Sequence, residues 1–302
     1  MLGNEGLSIF GDDHSGENLL AYRGVKGTTY YVDNGAANDN NSGTSWALAK
    51  KTIQAALDLC TGYNTVLVAT GGYVLTLTTP LNATAPFCQL IGVNSTDDMG
   101  YGPWLMSTTA GQDNLTIRAR GWRISGFEFD LRATGGAIIL DKENSGCSAD
   151  YTVIDHCLFA GAKDSSLAID FKNHVRMATI RDCEFFDIFN SGGTGKAIGC
   201  SYSGYANPYH LKFYRNIFRA NDRHMETACN HSLIEDNLFL DGDDVTATKY
   251  LALSGSVGHN VVRRNVFDGT YDIANGYNAA QTTDIWCENY NASGALITAH
   301  PG

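Results

Sequence analysis

The sequence predicts a single all-β solenoid, a chain wound in stacked turns, and three observations carry the prediction. First, a short phrase returns: WRISGFEF (122–129), VIDHCLF (153–159), TIRDCEF (179–185), FYRNIF (213–218), LIEDNLF (233–239) and VVRRNVF (261–267). Between the closing phenylalanines at 129, 159, 185, 218, 239 and 267 the intervals are 30, 26, 33, 21 and 28 residues, which is repeat spacing with slack for loops. Second, inward-suited residues alternate within the phrase, as Val153, Cys157 and Phe159 do, and period two is the signature of a strand with one buried face. Third, the position two before the phenylalanine runs Phe127, Cys157, Cys183, Asn216, Asn237, Asn265. These are side chains that can stack on copies of themselves, and a column of them is expected. An asparagine amide bonds to the asparagine above and below, satisfying polar groups that are costly in a dry core, and cysteine there acts as a small buried hydrophobe.

Residues 1–28 are polar, Gly-rich and without period, and are expected to form an extended arm that attaches the molecule to other proteins of an assembly. TIQAALDL (52–59) has a helical pattern and is expected to cover the open lower end of the coil, whose strand edges would otherwise recruit other chains. The coil begins at residue 65 and continues through 88–93. The stretch 94–106, with Tyr101, Pro103 and Trp104, breaks the period and is expected to project from the side; its aromatics suit sugar stacking or a subunit contact, or Trp104 seals the flank. Between the phrases lie AIIL (137–140), LAIDF (167–171), KAIGC (196–200) and YLAL (250–253), so a turn holds at least two strands and three are expected. Residues 285–302 keep Asn289 in the column but supply no closing phenylalanine and no visible cap. Nine turns at ~4.8 Å each make a rod on the order of 40 Å long.

With this pattern the chain resembles a right-handed parallel β-helix of the pectate-lyase-like superfamily, asparagine column included. TYYVDNGAANDNNSGTSWALAKKTIQAALDLC (29–60) followed by TVLVATGGYVL (65–75) is similar to that family's opening strand, polar loop, capping helix and first core strand. The resemblance runs from about residue 29 to the end. It is specific for fold and not for activity, because the same coil serves lyases, hydrolases, adhesins and phage spikes.

Composition narrows the choice. A net charge of -11 leaves no basic stripe to replace phosphate counterions, so nucleic acid is not an expected partner. No stretch is long and apolar enough to enter a membrane, and the first residues lack a signal-peptide pattern. The eight cysteines show no CxxC pair, which favours free thiols over bridges or metal. His156, His174, His210, His224, His231 and His259 read as scattered, with no pair at ligand spacing, so no metal or other cofactor is expected. GGTGK (192–196) fails as a phosphate loop because Ala197 follows the lysine, and reads as a coil corner.

The catalytic candidates are acidic. Asp222 lies four residues after Phe218 and Asp243 four after Phe239, with Asp244 beside it, so the three are expected in adjacent turns. They resemble the three-aspartate constellation of polygalacturonase-type hydrolases, in which a protonated acid serves the leaving group and carboxylates activate water. This chain departs from that family at Thr248-Lys249-Tyr250, where Gly-His-Gly would stand, and lacks the downstream Arg-x-Lys. Arg223, His224 and Glu226 offer a weaker likeness to a lyase's basic site, or a solvated corner. Two functional expectations follow. One is a virion surface protein such as a phage spike, fibre or capsid decoration, assembled in the host cytoplasm, docked through residues 1–28, homotrimeric, and meeting host glycans at Tyr101 and Trp104. The other is a polysaccharide hydrolase or lyase using Asp222, Asp243 and Asp244.

Overall fold

The structure, a computed structural model, describes residues 27–75, 80–93, 102–109, 111–131, 135–144, 147–161, 167–172, 175–190, 192–200, 208–241, 247, 249–253, 258–268, 277–279 and 283–297. Turns of the coil begin at Thr65, Gln89, Arg123, Val153, Thr179, Lys212, Leu233, Val261 and Ile285. The first eight each cross three sheets in order, as Val153–Asp155, Leu158–Ala160 and Leu167–Phe171 do, whereas the described part of the last ends in sheet 2. Among the described residues, sheets 1 and 2 hold ten strands each and sheet 3 holds eight. Strands within the coil pair in parallel; among the described residues the antiparallel pairs are the closing hairpin of Asn289–Asn291 with Leu296–Ile297 and a side hairpin of Lys142–Asn144 with Cys147–Ser148. No described helix is long and apolar enough to cross a membrane.

Exact register from turn to turn turns the phrase into vertical files. In sheet 1, Ile124, Ile154, Ile180, Phe213, Ile234 and Val262 stack inward. In sheet 2 the six closing phenylalanines stack face to face, with centroids 4.7–5.0 Å apart and ring planes 4–7° from parallel. Such contacts add to the burial of each ring.

The corner between sheets 1 and 2 explains why the asparagines recur. Its first residue, His156, Asp182, Arg215, Asp236, Arg264 or Glu288, holds left-handed backbone with φ 52–56°, a conformation uncommon for residues other than glycine. That turn leaves the next backbone N–H without a sheet partner, and the side-chain oxygen of the asparagine one turn on accepts it. The Asn216 N–H thus donates to Asn237 Oδ1 at 3.0 Å and the Asn237 N–H to Asn265 Oδ1 at 3.0 Å. Each side-chain amide also donates up the file, from Asn216 to Asn237 and from Asn237 to Asn265 at 3.0 Å, then to Asn289 at 3.1 Å. Its other proton reaches a carbonyl of the turn below, as from Asn237 to Phe213 O at 3.0 Å. At the lower end Cys157 and Cys183 occupy the same file, buried and with thiols directed at carbonyls.

Outside sheet 1 the next file is ionic. Asp155, fully buried, lies 3.2 Å from both the Arg123 and the Arg181 guanidinium, and Arg181 also donates to the Tyr214 hydroxyl. Burial alone would raise the Asp155 pKa, but hydrogen bonds from His156, Arg123 and Ser125 and the Arg123 charge hold it far below the usual carboxylate range. Higher up, Arg215 pairs with Asp182, and Arg264 with Asp236 and Glu235.

The lower end is closed by helix α1, Ile53–Leu57, shorter than the sequence suggests. Thr52 caps it by accepting from the Ala55 N–H, and Asp39 holds that cap through the N–H groups of Lys51 and Thr52. Ile53, Ala56 and Leu57 face the core. The expected projection at 94–106 is corrected for its last part. Trp104–Ser107 is a strand of sheet 2, in register with Gly72–Leu75 below and Glu128–Asp130 above. The Trp104 ring lies against Gly72, where an added Cβ would sit 2.3 Å from it, so Trp104 covers the flank of the coil. Tyr101 lies outside the described residues, as do residues 1–26 of the expected arm.

His224 is a core residue, not part of a solvated corner. It is fully buried, with its Nδ1 3.1 Å from the Asn221 side-chain nitrogen and its ring edge-on to Tyr250. Burial pushes its pKa down to about 3. Because the unfolded chain takes up a proton near pH 6.5 that the folded one refuses, stability is full above that pH and falls as pH drops toward 3. The whole window is worth on the order of 5 kcal/mol. Denaturant titrations at pH 7 and pH 5 will show this slope in the natural protein, and His224→Gln will flatten it; an unaltered slope would place the acid sensitivity elsewhere.

Candidate functional site

The outer face of sheet 3 carries the chemistry. Its strands bury two adjacent middle residues, such as Ala168 and Ile169 or Ala197 and Ile198, and turn the positions on either side outward. Register then builds two outer rows. One runs Gly136, Leu167, Lys196, Arg223; the other runs Ile139, Asp170, Gly199, Glu226. Asp113 reaches over the lower strands from the preceding loop, its Oδ1 accepting the Gly136 N–H at 2.7 Å. A hollow of about 210 Å³ opens between these residues, lined by Asp113, Gly136, Ile139, Asp170, Lys172 and Lys196, with Cys200 at its edge. Gly199 brings no side chain to the row, so the floor between Asp170 and Glu226 is low.

The charges are arranged in two groups. Burial, countered by the Gly136 N–H and Lys172 and aided by the charge of Asp170, raises the Asp113 pKa. Asp170 is 2% exposed, and its Oδ2 lies 3.7 Å from Lys172 Nζ. One turn beyond Gly199, Glu226 receives Arg223 and, at 3.1 Å, Lys196. Burial works against its ionised form, but these two cations outweigh it and lower its pKa. Asp113 therefore holds its proton to higher pH beside a second carboxylate, while Lys172, Lys196 and Arg223 supply positive charge along the same face. Two carboxylates in one hollow, with cations to steady developing negative charge, are a constellation for acid–base work on an oxygen-rich substrate.

A larger hollow of about 570 Å³ lies at the lower end, between α1 and Tyr73–Leu75. Its walls are largely apolar, and its carboxylates are engaged locally, Asp39 in the helix cap and Asp58 with Gln54. It offers no comparable chemistry, so the smaller hollow is the better site.

The acidic residues chosen from sequence sit elsewhere. Asp222 is 9% exposed, and its Oδ2 accepts the N–H groups of Asn190 at 2.8 Å and Gly195 at 3.1 Å. It clasps the GGTGK corner, which Asn190 also folds by accepting from Gly192 and Thr194. Asp243 and Asp244 lie outside the described residues. Asp241 binds the Tyr250 hydroxyl and the Ala247 N–H. Sequence reading missed Asp113, Asp170, Lys172 and Lys196. The available signal was a charge inside an apolar run, Asp170 in LAIDF, which a strand tolerates only where that residue faces outward or is paired. The histidine reading also needs correction, because His210, His231 and His259 fall on consecutive turns with neighbouring rings 5.7 and 5.1 Å apart. Among the described residues no group of three His, Cys, Asp or Glu side chains is arranged as a metal site, and the described cysteines are free thiols.

No protein-family model and no curated protein matches the chain. Solved structures do. A pectin methylesterase from Aspergillus niger superposes over 90% of this chain and 91% of its own, with a TM-score of 0.56 at 14% identity. A rhamnogalacturonan lyase superposes over 82% of this chain and 69% of its own, with a TM-score of 0.56 at 12% identity. The chain therefore has the right-handed parallel β-helix fold of pectate-lyase-like proteins. At such identity the likeness is one of fold, and any activity has to be argued from the chain's own groove.

Proposed function

We propose that this protein binds a polysaccharide across the outer face of sheet 3 and cleaves it by acid–base chemistry. Asp113 is the proton donor, Asp170 the base, and Lys172 and Lys196 the groups that hold the substrate's oxygens. The observation that carries the reading is the pairing of Asp113, its pKa raised, with Asp170 in one hollow. A groove along a stiff rod suits a linear polymer, since each turn presents the same backbone platform one step on. Folds of this shape act on pectin in the methylesterase and on rhamnogalacturonan in the lyase, which supports a polymeric sugar as substrate. The virion role, the homotrimer and the docking of residues 1–28 find no support in the groove or in these neighbours.

The test is turnover on a panel of neutral and acidic polysaccharides, read as new reducing ends and as unsaturated products. Asp113→Asn and Asp170→Asn are each expected to lower turnover by on the order of 10²-fold or more. Retention of no polysaccharide and release of no product would overturn the proposal. So would an active Asp113→Asn beside an inactive Asp222→Asn, which would return the chemistry to the acidic corner.

A further inference from the structure

Three histidines form a vertical file on the solvent edge where the chain enters sheet 1. His210, His231 and His259 each stand two residues before Lys212, Leu233 and Val261, which are in mutual register. All three hold left-handed backbone, with φ of 56, 50 and 60°, and all are exposed. The same backbone conformation at the same register presents the three side chains in one direction, one turn apart.

The spacing is the informative quantity. Two imidazoles on one metal ion, with nitrogens about 2.0–2.1 Å from it and a roughly tetrahedral angle between them, have ring centroids about 5 Å apart. The rings of His231 and His259 are 5.1 Å apart, and those of His210 and His231 5.7 Å. The step of the coil thus supplies the separation that shared ligation needs. All three side chains are exposed, so packing does not fix their rotamers. The two ends of the file differ in charge. Arg176 lies over Tyr209, which is edge-on to His210, so a cation crowds the lower end. Above His259 the file continues with Thr283, whose hydroxyl accepts the His259 backbone N–H at 3.3 Å.

We propose that His231 and His259, with His210 beside them, bind a first-row divalent transition-metal ion of the zinc or copper class, water completing its coordination. Neutral imidazole suits these ions, and copper is held more tightly than zinc by the same donors. The site lies at the entry to sheet 1 and is independent of the groove on sheet 3.

Titration calorimetry of the full chain with zinc chloride, and separately with copper chloride, tests it. One ion per chain is expected, with copper the tighter. His231→Asn and His259→Asn should each weaken binding by on the order of tenfold or more, and His210→Asn by less. Asparagine tolerates the left-handed backbone, and an unchanged circular dichroism spectrum and melting temperature will show that each variant is folded. If the His231→Asn/His259→Asn double variant takes up metal with the natural stoichiometry and affinity, thiols or carboxylates hold the ion and the proposal fails. Absence of uptake by the natural chain overturns it equally.

Discussion

Asn237→Leu will destabilise the coil by on the order of 4 kcal/mol, although leucine matches asparagine in size. Asn237 is fully buried at mid-column. Its oxygen accepts two donors from Asn216, the backbone N–H and the side-chain amide, and its amide donates to Phe213 O and Asn265 Oδ1. The substitution orphans the Asn216 backbone N–H and takes a donor from the Phe213 carbonyl, each in a place water does not reach. The apolar gain from leucine is small, because the file is narrow and already filled. Denaturant unfolding will report the loss. Hydrogen exchange at the Asn216 amide will localise it, a useful control because stacked repeats need not unfold in one step. A change under about 1 kcal/mol would mean that the column is a spacer and not a set of satisfied bonds.

Asp155→Ala will cost about 3–5 kcal/mol, the range for removing one partner of a buried ion pair. The carboxylate is enclosed between Arg123 and Arg181, and Arg181 is itself 6% exposed. Without Asp155 the Arg181 guanidinium keeps Tyr214 and a looser contact of 3.9 Å with Asp182. The effect has a pH signature whose sign follows from the depressed folded-state pKa. The contribution is complete above the unfolded value near 4 and is lost as pH falls below it, because the unfolded chain then takes up a proton that the folded chain releases. Thermal melts at pH 7 and pH 3 will therefore differ less in Asp155→Ala than in the natural protein. An equal difference in both would show that the ion pair contributes nothing to acid sensitivity.

The two substitutions probe different layers of legibility. Asn237 could be chosen by reading the sequence, because its role depends on a period of two and on its place in a phrase that recurs. Asp155 sits inside VIDHCLF and was equally visible, but its partners were not: Arg123 and Arg181 become its neighbours only through the register of three successive turns. The histidine file was hidden in plain spacing. His210, His231 and His259 all stand eight residues before a closing phenylalanine, at 218, 239 and 267. Counting backwards from the phrase finds them, whereas scanning for local ligand spacing does not.

The groove was harder to see. Along one row of sheet 3, Leu167 lies eight residues after Phe159, Lys196 eleven after Phe185 and Arg223 five after Phe218. From Arg123 onward sheets 1 and 2 are joined by a corner of constant length, so every file there keeps a fixed offset from the phrase. Sheet 3 is reached through loops of varying length, so residues that share a face there share no offset in sequence. By itself the sequence determined the coil, the stacked phenylalanines and the amide column, since these follow from short-range alternation repeated at constant register. Only the tertiary structure decided that Asp222 clasps a corner, that Trp104 covers a flank, and that Asp113 meets Asp170. Those outcomes depend on where each variable loop returns the chain to the next turn.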